Sequence, residues 1–221
     1  MRKFSSLTLS ALAAAVMLAA PAAMAQQAGE FTVGVGAHVV SPKSKNGTLN
    51  SGAQTALGVT SNQIEVNSDT KPTLTFEYFI ADNLGIEVLA ALPFEHTAGV
   101  SGDPTRYIST KVLPPTVSVQ YHFDLGAIKP FAGVGVNYTT FLSSTYGPVD
   151  TSGGTHTYSL KDSVGAAVHL GTDIALNDQT SLRLDARWID ISSDLKVSGL
   201  GKVAKVELDP IVVGFAFVHK F

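Results

Sequence analysis

Hydrophobic and polar residues alternate with period two through eight separate stretches of the chain. In an extended strand, successive side chains point to opposite faces, so such alternation predicts strands with one apolar face and one polar or small face. The first stretch runs from Phe31 to Val40, with Phe31, Val33, Val35, Ala37 and Val39 against Thr32, Gly34, Gly36 and His38. The others span residues 73–80, 84–94, 112–123, 131–142, 163–174, 181–191 and 206–221. The last ends on the chain's terminal Phe221, on the same face as Ile211, Val213, Phe215 and Phe217.

The links between these stretches alternate in length. Residues 81–83, 124–129 and 175–179 are short, whereas residues 41–72, 95–111, 143–162 and 192–205 are long and rich in Gly, Ser, Thr and Asn. Bacterial outer-membrane barrels have short periplasmic turns and long external loops. The pattern therefore predicts an all-β fold, an eight-stranded antiparallel transmembrane β-barrel with both termini periplasmic. An even strand count lets the last strand pair with the first, leaving no unsatisfied edge in lipid. Aromatics near strand ends, namely Phe31, Tyr78, Phe94, Tyr121, Phe123, Phe131, Tyr138, Trp188 and Phe221, match the interfacial girdles of such barrels.

The start of the chain agrees with export. Arg2 and Lys3 precede an apolar run from Leu7 to Ala20, and Ala23-Met24-Ala25 is a small-x-small cleavage site. Residues 1–25 are expected to be a cleaved signal peptide and residues 26–221 the barrel, placed in the outer membrane of a Gram-negative bacterium. With no cysteine there is neither a lipid attachment site nor a disulfide framework. The net charge of -3 gives no reason to expect nucleic acid.

Three segments resemble a known family. Leu113-Pro114-Pro115-Thr116-Val117-Ser118-Val119-Gln120-Tyr121-His122-Phe123 is similar to the fourth strand of the OmpW family of outer-membrane proteins. Gly133-Val134-Gly135-Val136-Asn137-Tyr138-Thr139-Thr140-Phe141 resembles its fifth, and Leu208-Asp209-Pro210 with the strand up to Phe221 its eighth. His219 departs from the aromatic expected near the end of that last strand. The resemblance implies an eight-stranded barrel that helps small hydrophobic compounds cross the outer membrane.

Strand direction places each inward residue by height. Toward the external end these are mostly apolar: Leu89, Ala91, Pro93, Pro114, Phe141, Ala167, Ile189, Pro210 and Val212. Of these, Leu89, Ala91, Pro93, Pro114, Phe141, Ile189 and Val212, with Leu57 from the first long link, are the candidate ligand-binding residues. Toward the periplasmic end they are polar or charged. Here Arg183 and Arg187 are expected to pair with Glu77, Glu87, Asp173 and Asp185 in a network that plugs the lumen, joined by Gln120, His122 and His169. An apolar chamber over a closed floor suits a small hydrophobic ligand but leaves it no way straight down. Pro93, Pro114 and Pro115 lie near the external ends of the third and fourth strands. Proline gives no N–H to a ladder, so these strands are expected to separate there and open a lateral exit.

Other chemistries fit less well. Gly34-Val35-Gly36 and Gly133-Val134-Gly135 lack the third glycine and following helix of a dinucleotide site. The histidines show no metal-ligand spacing, so neither metal nor cofactor is expected. Ser118 and His122 face inward on one strand but lie roughly 13 Å apart by strand rise, too far for a nucleophile and its base. No enzyme activity is expected. The expected partners are small hydrophobic molecules, outer-membrane lipid and lipopolysaccharide, with the chain a monomer or weak oligomer. The alternative function is a non-conducting barrel that serves structure or surface interaction.

Overall fold

The computed structural model describes residues 26–146 and 158–221. The expected signal peptide, residues 1–25, lies outside them, as does part of the link 143–162. The barrel strands are β1 (Phe31–Ser41), β3 (Asp69–Ala81), β4 (Leu84–Ala91), β7 (Thr116–His122), β8 (Ile128–Tyr146), β10 (Ser163–Ala175), β11 (Thr180–Ile189) and β14 (Ile211–Lys220). Each pairs antiparallel with its neighbour in that order, and β14 returns to β1 in a register from Thr32–Lys220 to Ser41–Ile211. The ladder is thus closed, and every barrel strand has two partners.

Alternation decides what faces lipid. Val35, Leu74, Phe76, Val117, Val134, Val136, Val168, Leu184, Val213 and Phe215 are exposed on the outer wall, while Glu77, Glu87, Gln120, His169, Arg183 and Arg187 are fully buried inside. That is an apolar surface over a polar core, the reverse of a water-soluble protein and the arrangement a bilayer requires. At the seam, Phe221 stacks on Phe31 with centroids 5.0 Å apart, and the His219 ring meets Phe221 edge-on at 4.7 Å. The histidine therefore takes the place of the expected aromatic.

Two aromatics expected in the girdles are inside. Phe131 shares parity with Gly133 and Gly135, and it packs against His122, His169 and the Arg183 guanidinium, which lies 4.6 Å over its ring. Phe94 follows a break at Leu92-Pro93 that shifts it to the inner face.

The short turns are built by their residues. Asn83 adopts a left-handed φ of 62°, which asparagine tolerates better than most side chains. Asn177 accepts from the Gln179 and Thr180 amides at 3.0 and 2.8 Å, closing the turn between β10 and β11. The long links hold structure of their own. They form a helix α1 (Ser51–Leu57) and strands β2 (Ile64–Val66), β5 (Phe94–Val100), β6 (Arg106–Leu113), β9 (Tyr158–Leu160), β12 (Ser192–Val197) and β13 (Gly201–Glu207). Strand β8, 19 residues long, carries β7 on its lower part and β6 on its upper part. These elements extend the barrel on its external side around a second apolar core that includes Leu49, Ile64, Val100, Ile108, Leu195, Val197 and Val203.

Candidate functional site: an apolar chamber above an ionic floor

The lumen is layered. At the bottom, Arg183 lies among three carboxylates. Its Nε and Nη2 donate to Asp173 at 2.7 and 2.8 Å, Nη2 also donates to Glu77 at 3.0 Å, and Nη1 donates to Glu87. Arg187 pairs with the other Glu87 oxygen at 2.8 Å and with Asp185 at 3.2 Å. The six charged residues expected to share the floor are thus in one connected cluster. Three histidines join it. His122 meets Glu77 at 2.7 Å, while His38 and His169 meet the two Asp185 oxygens at 3.0 and 2.9 Å. His38 was not legible as a member, because nothing in β1 alone shows that it reaches Asp185 two strands away. Fully buried Phe79 closes against His122 from the side. An eight-stranded barrel has an interior that side chains fill, and these side chains fill it.

Above the floor lies a packed apolar layer of Val40, Phe94, Ala167, Ile189, Ile191, Leu208 and Val212, with Ala91 and Phe141 against its edge. Above that layer, the external extension encloses a cavity of about 90 Å³. Its walls come from α1, β2, β5, β6, β9, β12 and β13, and they include Leu57, Val100, Ile108, Leu195 and Val203. Phe141, Ile191 and Leu208 belong to both the layer and the cavity. The candidate ligand residues are therefore spread over three places. Leu57 and Phe141 line the cavity, Ala91, Ile189 and Val212 lie in or against the layer, and Leu89 lies on β4, Pro93 between β4 and β5, and Pro114 just before β7.

The cavity has a polar spot. His96 on β5 and Thr110 on β6 are direct cross-strand partners and both line it. The His96 Nδ1 lies 2.8 Å from the Asn67 carbonyl oxygen. A carbonyl only accepts, so Nδ1 carries the proton and Nε2 is an acceptor. Burial pushes this imidazole below its ordinary pKa of 6.5 and keeps it neutral. Thr110 Oγ1 is buried with no hydrogen-bond partner among the described residues. Leaving such a hydroxyl unpaired costs about 1–3 kcal/mol. Both residues lie in a link whose alternation (His96, Ala98, Val100; Ile108, Thr110, Val112) was available in the sequence as a signal of two further strands.

Beside the layer the wall is interrupted. The β4–β7 ladder ends at Leu89–Thr116, and β5–β6 pairing starts at Phe94–Val112. Between them, residues 90–93 and 113–115 are not paired to one another. Each edge holds to its other neighbour instead. Ala90 and Ala91 pair with β3, and the Leu92 amide donates to Pro72 at 3.3 Å. Opposite, the Asn137 amide donates to the Pro114 and Pro115 carbonyls at 3.0 and 3.1 Å and to Thr116 Oγ1 at 3.0 Å, while Thr139 donates to Asn137 Oδ1 at 2.6 Å. A side chain thus satisfies carbonyls that the ladder has released.

The comparisons agree with this architecture. Outer membrane protein W of Escherichia coli is 36% identical over 221 residues, covering 97% of this chain and 99% of that one. The crystal structure of the outer membrane protein OprG from Pseudomonas aeruginosa matches with a TM-score of 0.74 and 31% identity, over 89% of this chain and 98% of that one. A dibenzothiophene metabolism operon protein, PahQ of Pseudomonas aeruginosa, is 28% identical over 156 residues, covering 67% of this chain and 70% of that protein. The model of the OmpW family matches residues 27–221, the whole of the barrel and its external extension. This chain belongs to the OmpW family of Gram-negative outer-membrane barrels.

Proposed function

We propose that the protein gives small hydrophobic molecules a passive route through the external face of the outer membrane, entering by the apolar cavity and leaving sideways between β4 and the Pro114-Pro115 segment. The observation that carries this reading is the break in the barrel wall next to the apolar layer that forms the cavity's base. A charged, filled floor blocks descent, because an apolar solute crossing it would have to part ion pairs held by several contacts each. The gap is the remaining way out, and it faces lipid, where a hydrophobic solute partitions readily. The name of PahQ, which ties that relative to dibenzothiophene metabolism, is consistent with an apolar cargo.

A staple across the gap tests the route. The chain has no cysteine of its own, so Ala90→Cys with Pro115→Cys provides one defined pair for a short thiol-reactive linker with a cleavable bond. In liposomes, uptake of an apolar fluorescent dye is expected to fall to the protein-free rate on linking and to recover on cleavage. Full linking with unchanged uptake would show that cargo does not leave there. No protein-dependent uptake in the unlinked protein would favour the non-conducting barrel.

A further inference from the structure

We propose that the cavity is built for a hydroxylated hydrocarbon, a phenol or short alkanol, whose O–H is held between His96 and Thr110. This rests on the reading of the cavity as the entry site and goes further by naming the ligand's polar group. A chamber meant only for bare hydrocarbon gains nothing from polar atoms in its wall, and burying them is unfavourable. Yet these two are neighbours across the β5–β6 ladder, on one face, in a mostly apolar lining whose other aliphatic hydroxyl, on Ser193, already donates to the Lys161 carbonyl. Directly opposed residues have Cβ atoms about 4.5–5.5 Å apart, so one ligand oxygen can bridge the two side chains once the sealed Thr110 hydroxyl turns toward the cavity.

The chemistry of the pair selects the group. His96 Nδ1 is fixed by the Asn67 carbonyl, so Nε2 offers a lone pair. Thr110 Oγ1, more than nine-tenths buried and without a partner among the described residues, offers its proton. A hydroxyl supplies both halves: its hydrogen goes to Nε2 and its oxygen accepts from Thr110. A carboxylate has no proton for Nε2, an ammonium has no lone pair for Thr110, and a bare hydrocarbon satisfies neither. Sites that hydrogen-bond a hydroxyl reject the analogue lacking it far more strongly than apolar pockets reject one extra group. The apolar lining, which includes Leu57, Ile108, Leu195 and Val203, takes the hydrocarbon part of the ligand. The Phe94 ring, stacked at 6.3 Å on the His96 ring, keeps the imidazole in its plane.

Phenol and benzene differ by this one group and make the test. Saturable binding of each would be measured by calorimetry to the full-length mature protein in nanodiscs, with partition into empty nanodiscs of the same lipid subtracted. Phenol is expected to bind about tenfold tighter than benzene, the worth of one well-made hydrogen-bond pair. Thr110→Val should bring the two affinities together, Thr110→Ser should keep them apart, and His96→Phe, which retains a ring for Phe94, should also erase the difference. Equal affinities in the wild-type protein, or a ratio untouched by Thr110→Val and His96→Phe, would overturn the assignment while leaving the cavity as an apolar binding site. Saturable binding of neither compound would overturn both the assignment and the entry site on which it rests.

Discussion

Arg183 ties three strands of the interior together, because it joins Asp173, Glu77 and Glu87 at once. Replacing it with methionine keeps most of its bulk and removes the charge. Three carboxylates then face a dry interior with Arg187 as the remaining guanidinium of the cluster. Breaking a buried pair from one side costs about 3–5 kcal/mol, so Arg183→Met is expected to lower the unfolding free energy in urea by that amount. A change below about 1 kcal/mol, the size of an exposed pair, would mean that water reaches the cluster. His96 makes a second prediction, with a direction in pH. Burial lowers its folded pKa, so below its unfolded value of 6.5 the unfolded chain binds a proton that the folded one refuses. Stability of the external extension is then full above that value and falls as pH drops through the window down to the folded pKa. An NMR titration of the His96 ring should give a midpoint below 6.5, and amide exchange in β5 and β6 should quicken over the same range. The parity of each charge was legible in the sequence, since alternation alone sends Arg183, Asp185 and Arg187 inward together. Which atoms meet was not, because those contacts join strands far apart in the chain.

At the scale of elements, the di-proline segment is explained by its neighbour. Pro114 and Pro115 cannot donate to a ladder, but their carbonyls still need partners, and the Asn137 amide on β8 supplies them. Asn137→Leu removes both donors and the acceptor of the Thr139 hydroxyl, leaving Pro115 to the Tyr138 amide and Pro114 to the Thr116 hydroxyl. It is expected to destabilise the barrel by about 1–3 kcal/mol and to slow dye uptake, as the edge of the gap loses its tether to β8. Asn137→Gln, with the same amide on a longer arm, should recover part of both. Uptake unchanged by Asn137→Leu would separate the clamp from transport. The prolines themselves pointed to the break from the sequence. The long links misled, because their Gly, Ser and Asn content reads as loop while β5, β6 and β12 each carry short alternating runs. Such strands are only six to eight residues long, and their apolar faces make sense only once α1 and β13 close over them.

For the molecule as a whole, the architecture separates two kinds of permeation. The eight barrel segments, their order and the external side of the long links could be read from periodicity, because a barrel in lipid imposes one repeated rule on every strand. The layering inside could be read only as far as polar below and apolar above. The packed layer of Val40, Phe94, Ile189 and Val212 emerges from the barrel and its extension acting together. Those layers make the lumen a poor path for water. Inward Gly36, Gly135 and Gly214 tighten it further, since a Cβ on any of them would collide with Phe215, Val117 or His38. A planar bilayer holding the wild-type protein should therefore show no steady ion current, even where liposomes carrying the same protein take up an apolar dye. Replacing Glu77, Glu87, Asp173, Arg183, Asp185 and Arg187 together by alanine removes both guanidiniums and all four carboxylates of the floor, so none of these charges is left unpaired. If the floor is the seal, that variant passes ions while dye uptake, which leaves by the wall above, continues at the wild-type rate. If the variant stays sealed, the apolar layer alone closes the lumen, and the ionic cluster serves the fold. If dye uptake falls along with the appearance of current, cargo and ions share the lumen and the sideways exit loses its purpose.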